Sequence, residues 1–243
     1  MAVQYKNPPI VEALCEFRLG KDTEWDLTIP GQLYEKVKSQ FPLREHRTVQ
    51  VVEFAFQPQN VQQQIRTEER VLLFTPDRKA LVQIGPRLLV VNVLKPYPSW
   101  KGFKPLIETA WEALRQVVAL KTLDRIGLRY INRVEFETSR VDLKAYFDFY
   151  LYTGARLPQE YASFVAQALF SFAGGRDHCL VRLVSAESEA QRMAVLLDID
   201  YHWARSDAVA IDRALDWVEE AHSRVEEIFE GCITDELRRI LNT

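Results

Sequence analysis

Period-two alternation between apolar and polar residues recurs at widely separated places in this chain, and two long stretches of helical period interrupt it. From Ile10 to Leu19 the residues Val11, Ala13, Cys15, Phe17 and Leu19 share one face, while Glu12, Glu16 and Arg18 share the other. That is the pattern of a half-buried strand. It returns from Ile126 to Glu137, with Ile126, Leu128, Tyr130, Val134 and Phe136 opposed to Arg129, Arg133, Glu135 and Glu137. Between the two lie four runs rich in β-branched residues, VQVVEFAF, ERVLLF, KALVQI and RLLVVNVL, punctuated by Thr75-Pro76-Asp77 and Gly85-Pro86. These predict an antiparallel meander.

Helical spacing takes over at 103 to 121, where Ile107, Ala110, Leu114, Val117, Val118 and Leu120 fall on one stripe, and again from about 211 to 231. Short helices are expected after Pro30 (Leu33, Val37, Phe41, closed by Pro42) and near 142 to 149. Further strands are expected near 161 to 172, 179 to 185 and 192 to 203. The Ala-rich PQEYASFVAQALFSF at 158 to 172 also fits a helix that ends at Gly174-Gly175.

The fold class is therefore α+β, with antiparallel sheets backed by two long helices. The second half repeats the element order of the first. An offset of 111 positions sets Leu106, Ala110, Leu114, Val117, Val118, Asp124 and Ile126 on Trp217, Ala221, Val225, Ile228, Phe229, Asp235 and Leu237. The expectation is a tandem duplication of a β-α-β(3-4)-α unit, residues 1–122 and 123–243, packed as one body.

At 243 residues either arrangement buries a core without disulfide or metal staples. With 31 Lys+Arg against 34 Asp+Glu there is no global field for nucleic acid, so any such contact needs a local patch. No apolar run is long enough for a membrane helix, and the opening MAVQYKNPPIVEA lacks a signal-peptide pattern, so the expected setting is cytoplasmic, with no membrane partner. Cys15, Cys179 and Cys232 are far apart, odd in number and set among apolar residues; they read as small buried hydrophobes, with neither disulfide nor zinc.

Nucleotide-binding, P-loop, zincin, nucleophile-elbow and C-x-x-C motifs are all lacking from the sequence. No cofactor and no catalytic residue are assigned, and the leading expectation is a non-catalytic binding or accessory module whose partner is a protein or a small ligand. The alternative is a metal-dependent or hydrolytic enzyme built on Asp198, Asp200 and His202, which alternate along one strand face in LLDIDYHW, or on His222. The same trio reads more simply as the polar face of a strand, with Arg129, Arg133 and Arg182 as cross-strand partners and no bound metal. His222 lies on the seam Leu215, Val218, Val225, Phe229 and Cys232, so it is expected to face the sheet as a hydrogen-bonded core residue.

A third reading is an RNA-binding surface made of Lys95, Trp100, Lys101, Arg129 and Arg133, since the loop KPYPSWKGFKP interleaves lysines with aromatics. Loop aromatics ahead of a helix also plug the open end of a core. Asn132 shares the apolar side of its strand, which requires a bulge or a buried hydrogen bond. The candidate ligand- or partner-binding set is Trp100, Lys101, Arg129, Asn132, Arg133 and His222, expected to converge where the 95–105 loop meets strand 126–137.

Three stretches, NPPIVEALCEFRL, PYPSWKGFKP followed by GLRYINRVEF, and AHSRVEEIFEGCITDELRRI, resemble a sporadically distributed, uncharacterised bacterial protein family of about this length. The resemblance implies one shared architecture, carried by Asn7, Pro8, Pro9, Glu12, Tyr97, Trp100, Phe103, Arg129, Tyr130, Asn132, Arg133, His222, Phe229 and Thr234. It implies no activity, and sporadic occurrence suggests accessory genes such as those of antiviral defence or toxin–antitoxin systems.

Overall fold

A computed structural model describes residues 5–57, 60–138, 140–158, 162–188, 192–203 and 209–243, with the side chains of 50–66 outside that description. The strands are β1 (Ile10–Leu19), β2 (Leu43–Gln57), β3 (Asn60–Phe74), β4 (Ala80–Gly85), β5 (Leu88–Leu94), β6 (Leu123–Phe136), β7 (Val165–Phe172), β8 (Asp177–Ala186) and β9 (Met193–Trp203). The helices are α1 (Ile29–Val37), α2 (Trp100–Val117), α3 (Ala214–Cys232) and α4 (Asp235–Leu241).

All nine strands form one antiparallel sheet in the order β2-β3-β4-β5-β1-β6-β9-β8-β7. Two separate meanders are what the sequence predicts; instead β1 pairs with β5 on one side and β6 on the other. An alternating strand leaves hydrogen-bonding groups on both edges, and pairing both satisfies them.

One face of the sheet carries the helices. Ala13, Cys15 and Phe17 of β1, Ile126 and Leu128 of β6, and Ile199, Tyr201 and Trp203 of β9 join Leu33, Phe103, Ile107, Trp111, Leu114, Val218, Val225 and Leu237 in one core. Trp111 stacks on Phe17 with ring centroids 4.4 Å apart, so α2 is pinned to the central strand. Each such fully buried side chain contributes about 2–3 kcal/mol, far more than the few tenths per residue that separate helix propensities. Packing, then, decides where these helices lie. Cys15, Cys179 and Cys232 are all free and buried.

Several boundaries depart from the sequence reading. The expected loop 95–105 ends early, because Trp100 already opens α2, and Pro105 is accommodated inside the helix. The short helix expected near 142 to 149 is a single 3-10 turn, Leu143–Ala145, after which Phe147 bridges to Ile233. Within 158 to 172, Val165–Phe172 is strand β7 rather than helix, and residues 159–161 lie outside the description. The β7 to β8 turn needs left-handed backbone at Ala173, Gly174 and Gly175 (φ 49°, 66° and 89°), which explains the Gly-Gly pair without a helix end.

The polar run from Asn60 onward is the start of β3, which pairs with β2 along its whole length. Asp235 and Leu237, matched by the 111-residue offset to Asp124 and Ile126 of β6, lie in α4. The offset therefore fails beyond the end of α3. Thr234 caps α4 instead, its hydroxyl accepting from Leu237 N and donating to Ala145 O at 2.6 Å.

Candidate functional site: a charged lattice on the helix-free face

Alternation places every second residue of the central strands on the face away from the helices. Two cross-strand rows show what this brings together. One runs Leu81, Asn92, Leu14, Arg129, Asp200 and Leu180; its neighbour runs Leu94, Glu12, Ile131, Asp198, Arg182 and Gln167. Toward β3 this face closes over a small apolar cluster of Leu72, Phe74 and Leu81. Across β5, β1, β6, β9 and β8 it is a lattice of charge and amide groups, hydrogen-bonded in separate clusters with Leu14, Ile131 and Leu180 between them.

Arg125 is the hub of one cluster, donating to Glu16 Oε1 at 2.9 Å and to both carboxylate oxygens of Asp200 at 3.0 and 2.9 Å. Glu16 also accepts from Arg18 Nε at 2.8 Å. Arg129 grips Asp198 with two parallel bonds of 2.7 and 2.8 Å, and Arg182 stands 3.8 Å from the same carboxylate while bonding Gln167 at 2.9 Å. On the other flank Gln83 donates to Asn92 at 2.9 Å, and Asn92 donates to Glu12 at 2.6 Å. Forked Arg–carboxylate pairs of this kind are the strong form of the interaction.

Gly127 makes room for the hub. A side chain there would meet Arg125 Nη1 at 2.3 Å, so only glycine lets the guanidinium lie across β6 toward both acids. Burial works against ionisation of Asp200, but the His202 ring and the Arg125 and Arg129 charges outweigh it and hold the carboxyl well below the usual range. For Glu16 burial is likewise outweighed by Arg125 and Arg18, and its carboxyl is also held down. Burial opposes the charge on Arg129, yet Asp198 and Asp200 raise it overall.

The trio Asp198, Asp200 and His202 does share one face, as the spacing predicts, and its acids are taken up by Arg125 and Arg129. His202 Nδ1 sits 3.2 Å from the Asp200 carbonyl oxygen, and its ring is 6.2 Å from that of His178. Among the described residues, no group of three or more His, Cys, Asp or Glu side chains stands in a metal-holding arrangement.

The candidate binding set, by contrast, is divided between the two sides of the sheet. Arg129 and Arg133 belong to the lattice face; Trp100, Asn132 and His222 lie on the helix side. Trp100 stacks on His222 with centroids 4.0 Å apart and approaches Glu219 with its ring nitrogen at 3.3 Å. Lys101 is exposed on the first turn of α2. Asn132 is buried and donates to the Leu197 carbonyl at 3.1 Å, beside a register irregularity between Ile10 and Glu12 in β1. Of the two readings offered for its position the buried hydrogen bond is the one present: β6 keeps a regular register with β9 through Asn132, and the extra residue belongs to β1.

His222 is a core residue. Its Nδ1 lies 3.2 Å from the Tyr130 hydroxyl, its Nε2 3.2 Å from Glu226, and Tyr130 in turn meets the Tyr97 hydroxyl at 3.0 Å. Burial pushes the imidazole down to about 4, against a smaller upward pull from Glu219. A neutral ring accepting from Tyr130 and donating to Glu226 satisfies both nitrogens.

Arg133 lies at the far end of β6, bonding Glu135 at 2.6 Å and the Glu187 carbonyl at 2.8 Å. Together with Ser188 and Arg192 these residues line an open cleft of about 390 Å³.

Sequence reasoning missed Arg125 and Asp177. Arg125 shares its parity with Arg129 and Arg133 but lies one residue ahead of the alternating run that begins at Ile126. Asp177 has the parity of Cys179, Val181 and Leu183, and it is the one carboxylate aimed into the core among the described residues. Arg176 grips it at 2.9 and 2.6 Å, Tyr201 donates at 3.0 Å and Trp217 at 3.2 Å.

No family model and no curated protein matches the chain. Among solved structures it has a likeness to the S. pombe Pct1 RNA triphosphatase in complex with the Spt5 CTD. The identity is 9%, over 97% of this chain and 86% of that one, with a TM-score of 0.14. So slight a likeness bears on neither fold nor function. No helix of the described residues is long and apolar enough to cross a membrane.

Proposed function

We propose that this chain is a non-catalytic binding module of the cytoplasm, and that it meets its ligand or partner through the charged lattice of β1, β6, β9 and β8. The observation that carries this reading is the near-burial of compensated charges on a face over which none of the described helices packs. Side-chain exposures are 11% at Asp198, 15% at Glu16, 20% at Asp200 and 21% at Arg125. Desolvated ion pairs are poor stabilisers: replacing one by apolar residues of similar size is often neutral or favourable by about 1–4 kcal/mol. A lattice of them is better explained by recognition, in which paired guanidiniums and carboxylates present fixed donors and acceptors.

Catalytic use fits less well. Asp198 and Asp200 are engaged by arginines, and a His222 ring held near pH 4 is a weak base for work at neutral pH. An RNA surface combining Trp100 with Arg129 would have to span both sides of the sheet, and Trp100 already stacks on His222.

A duplicated origin is also proposed. Counted outward from the β1–β6 ladder, the first half runs β1-β5-β4-β3-β2 and the second β6-β9-β8-β7, the same order bar one strand. Units 1–122 and 123–243 would then be the ancestral copies.

The binding reading is tested by a charge-free exchange. Arg129→Met with Asp198→Leu removes both halves of one forked pair, and Arg182, which loses the Asp198 carboxylate at 3.8 Å, keeps its bond to Gln167. Tagged protein is recovered from its own host and weighed intact, with bound molecules retained. The exchanged protein is expected to lose what the wild type carries, while Trp100→Phe with Lys101→Ala keeps it. Retention by the first variant, loss by the second, or a wild type that carries nothing contradicts the reading.

A further inference from the structure

The two edges of the sheet differ in a way that the lattice does not explain. Edge strand β2 bears Arg44, Glu45 and Arg47, the kind of charged residues that normally stop an open edge from pairing. Edge strand β7, VAQALFSF, has no charged residue, no proline and no glycine. Its Val165 is 63% exposed, Leu169 61% and Phe170 43%, and Tyr152 and Leu157 of the preceding segment are also exposed. Five of the eight exposed large apolar side chains among the described residues thus fall between 152 and 170, and three of them stand on the edge strand itself.

The backbone at that edge is set for pairing. Ser185 N donates to Phe164 O at 3.2 Å, which makes residues 164 and 185 a hydrogen-bonded pair. By antiparallel alternation Ala166, Ala168, Phe170 and Phe172 turn their backbone groups toward β8. Val165, Gln167, Leu169 and Ser171 turn theirs outward, beyond which the sheet ends.

We propose that β7 pairs with β7 of a second copy of this chain, joining two sheets edge to edge about a two-fold axis perpendicular to them. The occupant follows from the strand's own chemistry. A strand with no charge meets its copy without repulsion, and antiparallel pairing centred on Leu169 is self-complementary. Leu169 faces its own counterpart, Gln167 faces the partner subunit's Ser171, and Phe170 faces the partner subunit's Ala168. Apolar meets apolar, polar meets polar, and the largest side chain meets one of the smallest. All the outward N–H and C=O groups from Gln167 to Ser171 gain partners.

The test is the mass in solution of the full chain, 28.2 kDa as a monomer, by sedimentation at concentrations up to about 100 μM. The wild type is expected at twice that mass, and Leu169→Lys at the monomer mass with an unchanged far-ultraviolet spectrum. Leu169→Cys supplies a readout that survives any folding defect in the lysine variant. Directly opposed strand residues lie about 5.5 Å apart, within disulfide range, so mild oxidation should yield a covalent dimer that reductant reverses. The three native cysteines are buried and should not compete. A monomeric wild type overturns the proposal, whether or not some other extended peptide adds to β7. A dimer that persists in Leu169→Lys overturns it as well, and so does a Leu169→Cys variant that stays dimeric yet does not cross-link.

Discussion

Two buried polar side chains, Asp177 and His222, show how this protein manages polarity inside its core. Asp177 is 1% exposed, and its charge is tolerable only because Arg176, Tyr201 and Trp217 all donate to it. Asp177→Ala removes the shared acceptor and leaves two aromatic donors unpaired. It is expected to cost about 3 kcal/mol in denaturant unfolding, with Asp177→Asn costing less because an acceptor remains. His222 makes a prediction in pH. Its folded value of about 4 lies below the 6.5 of an unfolded histidine, so between those values the unfolded chain binds the extra proton. Its contribution is complete above pH 6.5 and is lost as pH falls toward 4. The thermal midpoint of the wild type should therefore drop over that window more steeply than that of His222→Gln; parallel curves would contradict the assignment. His222 was legible in the sequence from its seam position. Asp177 was not, because it stands at the first residue of its strand, where alternation has just begun.

Among the elements, β6 does the most to organise the molecule, since it joins the two halves and carries charge on one face and core on the other. Its alternation could be read directly, and so could the shared face of Asp198, Asp200 and His202 on β9. Which arginine meets which acid could not be read. Pairing depends on strand order and register, and these bring Arg125 rather than Arg133 to Asp200. The same limit explains the merging of two expected meanders into one sheet, since periodicity gives faces and not neighbours. The division of the candidate binding set has a similar origin. Trp100 and Arg129 are close in sequence terms, but a helix start and the outward side of a strand put them on opposite sides of the sheet. Gly127 tests the arrangement of β6. In Gly127→Ala the new methyl meets only the far end of a flexible side chain, so the cost in stability is expected to stay within about 1 kcal/mol. Arg125 should nonetheless be displaced, releasing Asp200, and the carboxyl resonance of Asp200 followed by NMR should titrate closer to the ordinary range. An unchanged titration would contradict the role given to the glycine.

For the whole molecule, the two ends of the described chain lie side by side: Asn7 N bonds to the Leu241 carbonyl at 2.9 Å. If the halves are equivalent units joined by the β1–β6 ladder, the order of the halves is immaterial to the fold. A permuted chain that runs from 122 to 243, then through a short Gly-Ser link to 1 and on to 121, should unfold cooperatively with a midpoint within several degrees of the parent. A molten or aggregated product would contradict that equivalence. The larger claim is that recognition uses the helix-free face, and radical footprinting of the protein inside its native complex tests it most directly. Half-buried side chains report on each side: Leu14, Ile131, Leu180 and Leu196 within the lattice face, Trp100, Leu215 and Phe229 on the helix side. Forming the complex is expected to lower oxidation at Leu14, Ile131, Leu180 and Leu196 and to leave Trp100, Leu215 and Phe229 unchanged; protection confined to the helix-side residues would contradict recognition through the lattice.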